Sequence, residues 1–222
     1  DLGTSLVFFG LFVTMLYIAT QRRSWLVLDF VLFATGAAFA FLAFGHVRQR
    51  VNVWLDPFGD EGDTSYQIAQ SLYGFASGGM FGSGLVQGYP QLVPYAKSDF
   101  IIAAFGEDIG LIGVAAMLVL YAIIVQRGMR SAIACRDIFG TLLASGLSIV
   151  LALQVFVVIG GVTRLIPLTG LTTPFLSQGG SSLVANWIAI ALLMRISDAA
   201  RRPDTDTSAP ALADAPTQAV RL

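Results

Sequence analysis

Long apolar stretches alternate with short polar ones along the chain, and this pattern predicts membrane-spanning helices. Residues 3–20 and 26–45 are each about the ~20 residues that an α-helix needs to cross a bilayer. The runs 100–125, 138–161 and 182–196 read as three further strong spans. Residues 65–80 (SYQIAQSLYGFASGGM) are a weaker candidate, interrupted by Gln67 and Gln70. The polar link Gln21–Trp25 holds Arg22 and Arg23, with Trp25 suited to the membrane interface. His46–Thr64 reads as a polar loop with Arg48, Arg50 and Trp54. A glycine-rich stretch, Ser77–Asp99, runs directly into the span beginning at Phe100, and a second polar stretch, Gly160–Ser182, joins the last two spans. From Ser197 the chain is rich in Ala, Pro, Asp and Thr, and 197–222 is expected to be a disordered cytoplasmic tail.

The expected fold is therefore an all-α polytopic bundle over 1–196, with five strong spans and one doubtful one. With the tail in the cytoplasm, Arg127, Arg130, Arg136, Arg195, Arg201, Arg202 and Arg221 lie inside, and Lys97 and Arg164 lie outside. If 65–80 spans, Arg48 and Arg50 join the inner set and Arg22 and Arg23 the outer one; if it does not, the two pairs trade sides. The inside excess is the same either way, so the positive-inside rule supports this orientation without settling the span count. Asp99 is outside in both arrangements, at the membrane surface and in the first turn of a helix.

Composition narrows the class. The 222 residues are 55% hydrophobic and 12% charged, with a mean hydropathy of +0.74, which fits a membrane protein and not a soluble domain. A net charge of −1 without a Lys/Arg block argues against a nucleic-acid partner. One cysteine, Cys135, and one histidine, His46, exclude an internal disulfide, a cysteine-ligated metal and a histidine cluster. The first residue is Asp1, inside an apparent motif, so the chain is read as a piece of a longer protein.

The candidate chemistry is acidic and polar. The stretch Ser77–Asp99 carries five glycines, Gly78, Gly79, Gly82, Gly84 and Gly88, and ends in a carboxylate. No Gly-Lys-Ser/Thr follows, so it is no P-loop. The glycines suit a chain turning tightly at the membrane surface or, less simply, a floor where backbone approaches a ligand. Glu107 and Asp108 sit about two turns inside the following span, a depth at which ionisable groups are expected to be paired or functional. Glu107 is ~12 Å along a helix from Asp99, outside the close carboxylate pair of glycosidases. Asp29, one turn from an interface, is expected to snorkel to water. In the acidic loop Asp56, Asp60, Glu61, Asp63, Phe58 breaks the alternation of a calcium loop, and solvation is the simpler reading. Pro167 and Pro174 forbid a continuous helix through 160–182. Irregular backbone near membrane depth survives only where protein or a wet cavity buries it, so two such stretches on one face imply a shared cavity. Arg164 and Lys97 would be its cations, or anchors to lipid headgroups.

Five ordered segments resemble a known family: DLGTSLV (1–7), WLDPFGD with SYQIAQSL (54–60 and 65–72), SGGMFGSGL (77–85), VPYAKSDFIIAAFGEDIGLIG (93–113) and GLTTPFLSQGGSSLVAN (170–186). They are similar to the FtsW/RodA/SpoVE, or SEDS, proteins. The resemblance implies a fold of about ten helices of which this chain carries the last six, so that 65–80 should span. It implies a peptidoglycan glycosyltransferase of the bacterial cytoplasmic membrane that polymerises lipid II into glycan strands outside the membrane, for division or for elongation, beside a class B penicillin-binding protein. A lipid II flippase or a non-catalytic scaffold are the alternative roles. The family motif VPEAHTDF matches VPYAKSDF and assigns the catalytic aspartate to Asp99. Lys97, Ser98, Arg164, Gln178 and Ser181 are the candidate substrate contacts. Tyr95, Lys97 and Gln178 depart from the residues the family often has there, Glu, His and Tyr.

The implied chemistry suits one carboxylate. An α-linked sugar diphosphate becoming a β-linked glycan requires one inversion, the acceptor hydroxyl wants one base, and the leaving diphosphate wants a cation rather than an acid. Base, hydroxyl orienter and ligand of a divalent cation on the diphosphate all stay open for Asp99; that cation is the one cofactor considered.

Overall fold

The structure, a computed structural model, describes residues 2–59, 62–85, 87–89 and 93–201. Among the described residues all regular structure is helical. The helices are α1 (Leu2–Thr20), α2 (Arg23–Ala43), α3 (Gly45–Leu55), α4 (Asp63–Gly78), α5 (Ile101–Ala134), α6 (Ile138–Val162) and α7 (Gly180–Arg201). Five of them, α1, α2, α5, α6 and α7, are long and apolar enough to cross a membrane. The protein is accordingly a multi-pass membrane protein. Most of the expected tail, 202–222, lies outside the described residues, while Ser197–Arg201 continues α7 as helix.

The five long helices run alternately up and down around α6. A Cβ at Gly3 would meet Leu171 and Thr169, just past the end of α6, whereas Met15 lies against Gly146 near its start. α1 and α6 are therefore antiparallel. Ile102, Val114, Met117 and Tyr121 of α5 pack with Leu151, Val155 and Val158 of α6 to form the main core. The apolar faces of α2 stay largely exposed, including Phe30, Leu32 and Phe39, as expected for residues facing lipid or further helices.

Two expectations are corrected here. The polar stretch 46–64 contains a helix, α3. It packs at the end of the bundle where α6 finishes: Trp54 Nε1 donates to Arg164 O (3.0 Å), and Arg50 Nη1 donates to Leu168 O and Thr169 O (3.1 Å each). That is also the end where α5 starts and Asp99 lies. The candidate span 65–80 is α4, only 16 residues long, or ~24 Å against a ~30 Å hydrocarbon core. It enters from the same end and returns to it. Ile68 packs with Val53, Val93, Phe100, Ala103 and Val162 near that end, and the helix stops where Gly78 meets Gly106 and Glu107 of α5. The six-span arrangement would set α3 and the 163–170 segment on opposite sides of a membrane, which their hydrogen bonds forbid.

The return is built on a break in α5. Gly110 has φ +72 inside an otherwise continuous helix. An unbroken α-helix would bond the Leu111 N–H to Glu107 O and the Ile112 N–H to Asp108 O. Instead the glycine-rich loop meets all four groups. Ser83 N–H donates to Glu107 O (2.8 Å) and Gly84 N–H to Asp108 O (3.1 Å), while Leu111 N–H donates to Gly79 O (2.9 Å) and Ile112 N–H to Met80 O (3.2 Å). Backbone groups at membrane depth must be satisfied internally, and this splice does so ~14 Å down α5 from Ile101. The glycines are needed for it: a Cβ at Gly82 (φ +82) would fall 2.7 Å from the Ile109 carbonyl carbon, and one at Gly110 would fall 2.6 Å from Met80 O. The glycine run approaches another stretch of protein backbone rather than a ligand.

Candidate functional site

Asp99 closes a turn, 93–100, that leads into α5. The turn is wound by Ala96 N–H to Val93 O, Ser98 N–H to Tyr95 O and Phe100 N–H to Tyr95 O, with Tyr95 in the left-handed region at φ 57. Phe100 is 1% exposed and anchors the turn from below. A second turn, 173–178, clamps it from the side. Gln178 N–H donates to Lys97 O (2.8 Å), and Ser177 Oγ donates to Ser98 O (2.5 Å) while accepting from Thr173 N–H (2.7 Å). Tyr121 of α5 holds the same segment through its hydroxyl bond to Pro174 O. The two polar stretches thus share one face, as their composition implied, and the contact runs mostly through backbone.

The half-buried carboxylate of Asp99 faces a third strand of chain. Its Oδ2 lies 3.7 Å from where a Cβ on Gly170 would stand, and Arg50 Nη2 lies 4.0 Å from the same point. Gly170 has φ +73, which favours glycine, and the missing side chain leaves the acid and the guanidinium flanking one gap. Arg50 holds its position by donating to the Leu168 and Thr169 carbonyls.

The sequence candidates divide. Lys97, Ser98 and Asp99 come together with Gln178, although Ser98 and Gln178 act here through backbone groups, and the Lys97 and Gln178 side chains point to solvent. Ser181 is exposed on the first turn of α7. Arg164 departs from the expectation of a cavity cation: its Nε donates to Trp54 O (2.8 Å) and its Nη2 to Leu55 O (2.6 Å), so it caps α3. Sequence reasoning missed Arg50, Ser177 and Gly170. The signal for Arg50 was present, because settling the span count would have moved it to the Asp99 side.

The buried Glu107 serves structure. Glu107 is 6% exposed, and its Oε1 accepts the Tyr89 N–H at 2.9 Å, tying the return limb of the glycine loop to α5. Asp29 does not snorkel; it is 4% exposed, on an apolar groove of ≈370 Å³ lined by Phe9, Gly10 and Val13 of α1 and Leu153 of α6. Among the described residues no group of three or more His, Cys, Asp or Glu gathers that could hold a metal ion. The lone Asp99 carboxylate would fit only a cation shared with substrate phosphates, a common arrangement for magnesium.

A family model described as "Cell cycle protein", FtsW/RodA/SpoVE, matches residues 1–202. The chain belongs to the FtsW/RodA/SpoVE family. It is 60% identical over 203 residues to the peptidoglycan glycosyltransferase RodA of Mycobacterium tuberculosis H37Rv, covering 91% of this chain and 43% of that protein. It is 37% identical over 199 residues to the stage V sporulation protein E of Bacillus subtilis, covering 89% and 54%. A structure titled for the coordination of polymerization and crosslinking by a peptidoglycan synthase complex superposes with a TM-score of 0.73 at 28% identity, over 91% of this chain and 57% of that one. A mutant of the Thermus thermophilus rod shape determining protein RodA superposes with a TM-score of 0.58 at 25% identity, over 91% and 52%. The chain spans about half the length of the curated relatives it matches. In this FtsW/RodA/SpoVE chain three of the five segments that resemble the family, 77–85, 93–113 and 170–186, fall on the splice, on the Asp99 turn and on the clamp that holds it.

Proposed function

We propose that the full-length protein is an inverting glycosyltransferase that polymerises lipid II into glycan strands at the outer face of the bacterial cytoplasmic membrane, with Asp99 as the base. The observation that carries this reading is the Asp99 carboxylate beside Gly170, on a backbone-clamped turn, with the Arg50 guanidinium across the same gap. The acceptor sugar hydroxyl gives its proton to Asp99 as its oxygen bonds to the anomeric carbon of the donor. The bond from that carbon to the diphosphate breaks, and the diphosphate leaves as an anion. Arg50 and the solvent-facing Lys97 are the cations for it. Relatives named peptidoglycan glycosyltransferase support the reaction class, and the 60% identity to RodA against 37% to an FtsW favours a role in cell shape over division.

Full-length protein assayed with lipid II in detergent tests the proposal. Asp99→Asn is expected to lower polymerisation by the ~10²–10⁴-fold of a lost general base, at unchanged expression. Polymerisation by Asp99→Asn at the parental rate would refute it. Polymer made in detergent, where there is no bilayer to cross, also separates this reading from a lipid II flippase. The buried Glu107, tied to Tyr89, gives a headgroup pathway no support.

A class B penicillin-binding protein is the proposed partner, supported by the synthase-complex neighbour. Its membrane helix would lie along the exposed face of α5 formed by Ile112, Ala116, Val119 and Ile123, where Ala116 allows close helix approach. Gly110 is unavailable, being taken up by the splice. Ala116→Phe is expected to lower co-purification of the partner several-fold, and full recovery would exclude this face.

A further inference from the structure

At the end of the bundle opposite Asp99, α5 and α7 enclose a cavity of ≈200 Å³ lined by Arg127, Arg130, Ser131, Ser197 and Arg201 together with two alanines. Helical spacing explains the gathering. Arg127, Arg130, Ser131 and Ala134 recur at three- and four-residue intervals and so share one face of α5, and Ser197 and Arg201 do the same on α7. Small residues then bring the faces together. Gly128 leaves room for Ser148 and Leu193, and Ala132, Ala144 and Leu193 form a buried cluster beneath.

We infer that this cavity binds the phosphate of an anionic lipid headgroup. Three arginines from two helices line one space, a gathering of like charge that an anion between them would relieve. The positive-inside tendency alone does not ask for this: Arg22, Arg23 and Arg195 satisfy it without lining the cavity. The helix C-termini favour nearby arginines singly, but not three facing each other. Ser131 Oγ donates to Arg127 O (3.0 Å) and holds its own helix; Ser197 is the hydroxyl left to the cavity. Asp198, the neighbouring acid, does not line it. Arginine clusters between helices at the cytoplasmic level are suited to phosphodiester headgroups such as that of cardiolipin. The source we commit to is the membrane, because the cavity opens where the spans end.

Native mass spectrometry of the full-length protein in detergent, titrated separately with cardiolipin, phosphatidylcholine and inorganic phosphate, tests the inference. Cardiolipin adducts are expected at least tenfold above phosphatidylcholine, and an Arg127→Gln/Arg130→Gln/Arg201→Gln variant is expected to lose that preference. Ser197→Phe, which fills the cavity and leaves the charge, is expected to lose it as well, while Arg127→Lys retains most of it. Equal adducts in wild type and both the charge-removing and cavity-filling variants would overturn the site. Displacement of cardiolipin by equimolar inorganic phosphate would overturn the lipid source. Binding that appears only after truncation beyond Arg201 would make the acidic tail the occupant and overturn the proposal too.

Discussion

The two ends of this bundle are built from different materials. At the Asp99 end polarity is carried by backbone: the glycine splice, the 93–100 turn, the 173–178 clamp and Arg50 on two carbonyls. At the other end the helices stay regular, and polarity sits in long arginine side chains near their C-terminal ends. A backbone-clamped carboxylate has little freedom, which is what a base within hydrogen-bond reach of a hydroxyl requires. Arginines on flexible stems can follow a mobile headgroup. The contrast says which end was shaped for position and which for charge.

The sharpest way to break the contrast is Asp99→Asn, expected to remove nearly all polymerisation while both ends stay folded. Next is the splice. Gly110→Val sets a β-branched residue at φ +72, against Gly82 and Met80. The left-handed conformation costs about 1–2 kcal/mol and overpacking about 1–3 kcal/mol. A lowered melting temperature with loss of activity is expected, and wild-type stability would mean the loop does not plug the helix. Arg50→Lys keeps the charge and loses the forked contact with Leu168 and Thr169. A fall in polymerisation of about tenfold is expected, matching one charge-assisted hydrogen bond of ~1.5 kcal/mol. Unchanged activity would remove Arg50 from the site. The gentlest test reads topology and not activity. In Cys135→Ser protein, cysteines introduced at Asn52 and at Lys97 should react with a membrane-impermeant reagent from the same side. Reaction from opposite sides would restore the six-span topology.

Much of this was legible in the sequence, for reasons that can be named. The five long helices announced themselves because a bilayer demands length and apolarity, both local properties. The place of Asp99 at the start of α5 was legible because the polar-to-apolar boundary is local too, and because its side of the membrane did not depend on the doubtful span. α4 misled because 65–80 is apolar enough to suggest a span, yet its 16 residues fall short of the bilayer's thickness and Gly79 then turns the chain. Arg164 misled because its partners, Trp54 and Leu55, are over a hundred positions away. The splice was invisible for a deeper reason. Its four bonds join backbone to backbone, so the sequence carries only the glycines that permit it, and glycine alone does not say what approaches.

The Arg50 contact has a consequence for the order of assembly. Arg50 and Leu168 are 118 positions apart, whereas the splice joins residue 83 to residue 107. At ~5–20 residues per second of synthesis, about 6–24 s separate the emergence of Arg50 from that of its anchor. During that time Val53 of α3 can already pack on Ile68 and Phe100, and the glycine loop can close onto α5, while the Arg50 guanidinium still lacks its two carbonyls. The 173–178 clamp on the Asp99 turn emerges just after those anchors, so the acid and the guanidinium are fixed by the same stretch of chain. The segment between α6 and α7 therefore closes both sides of the gap together.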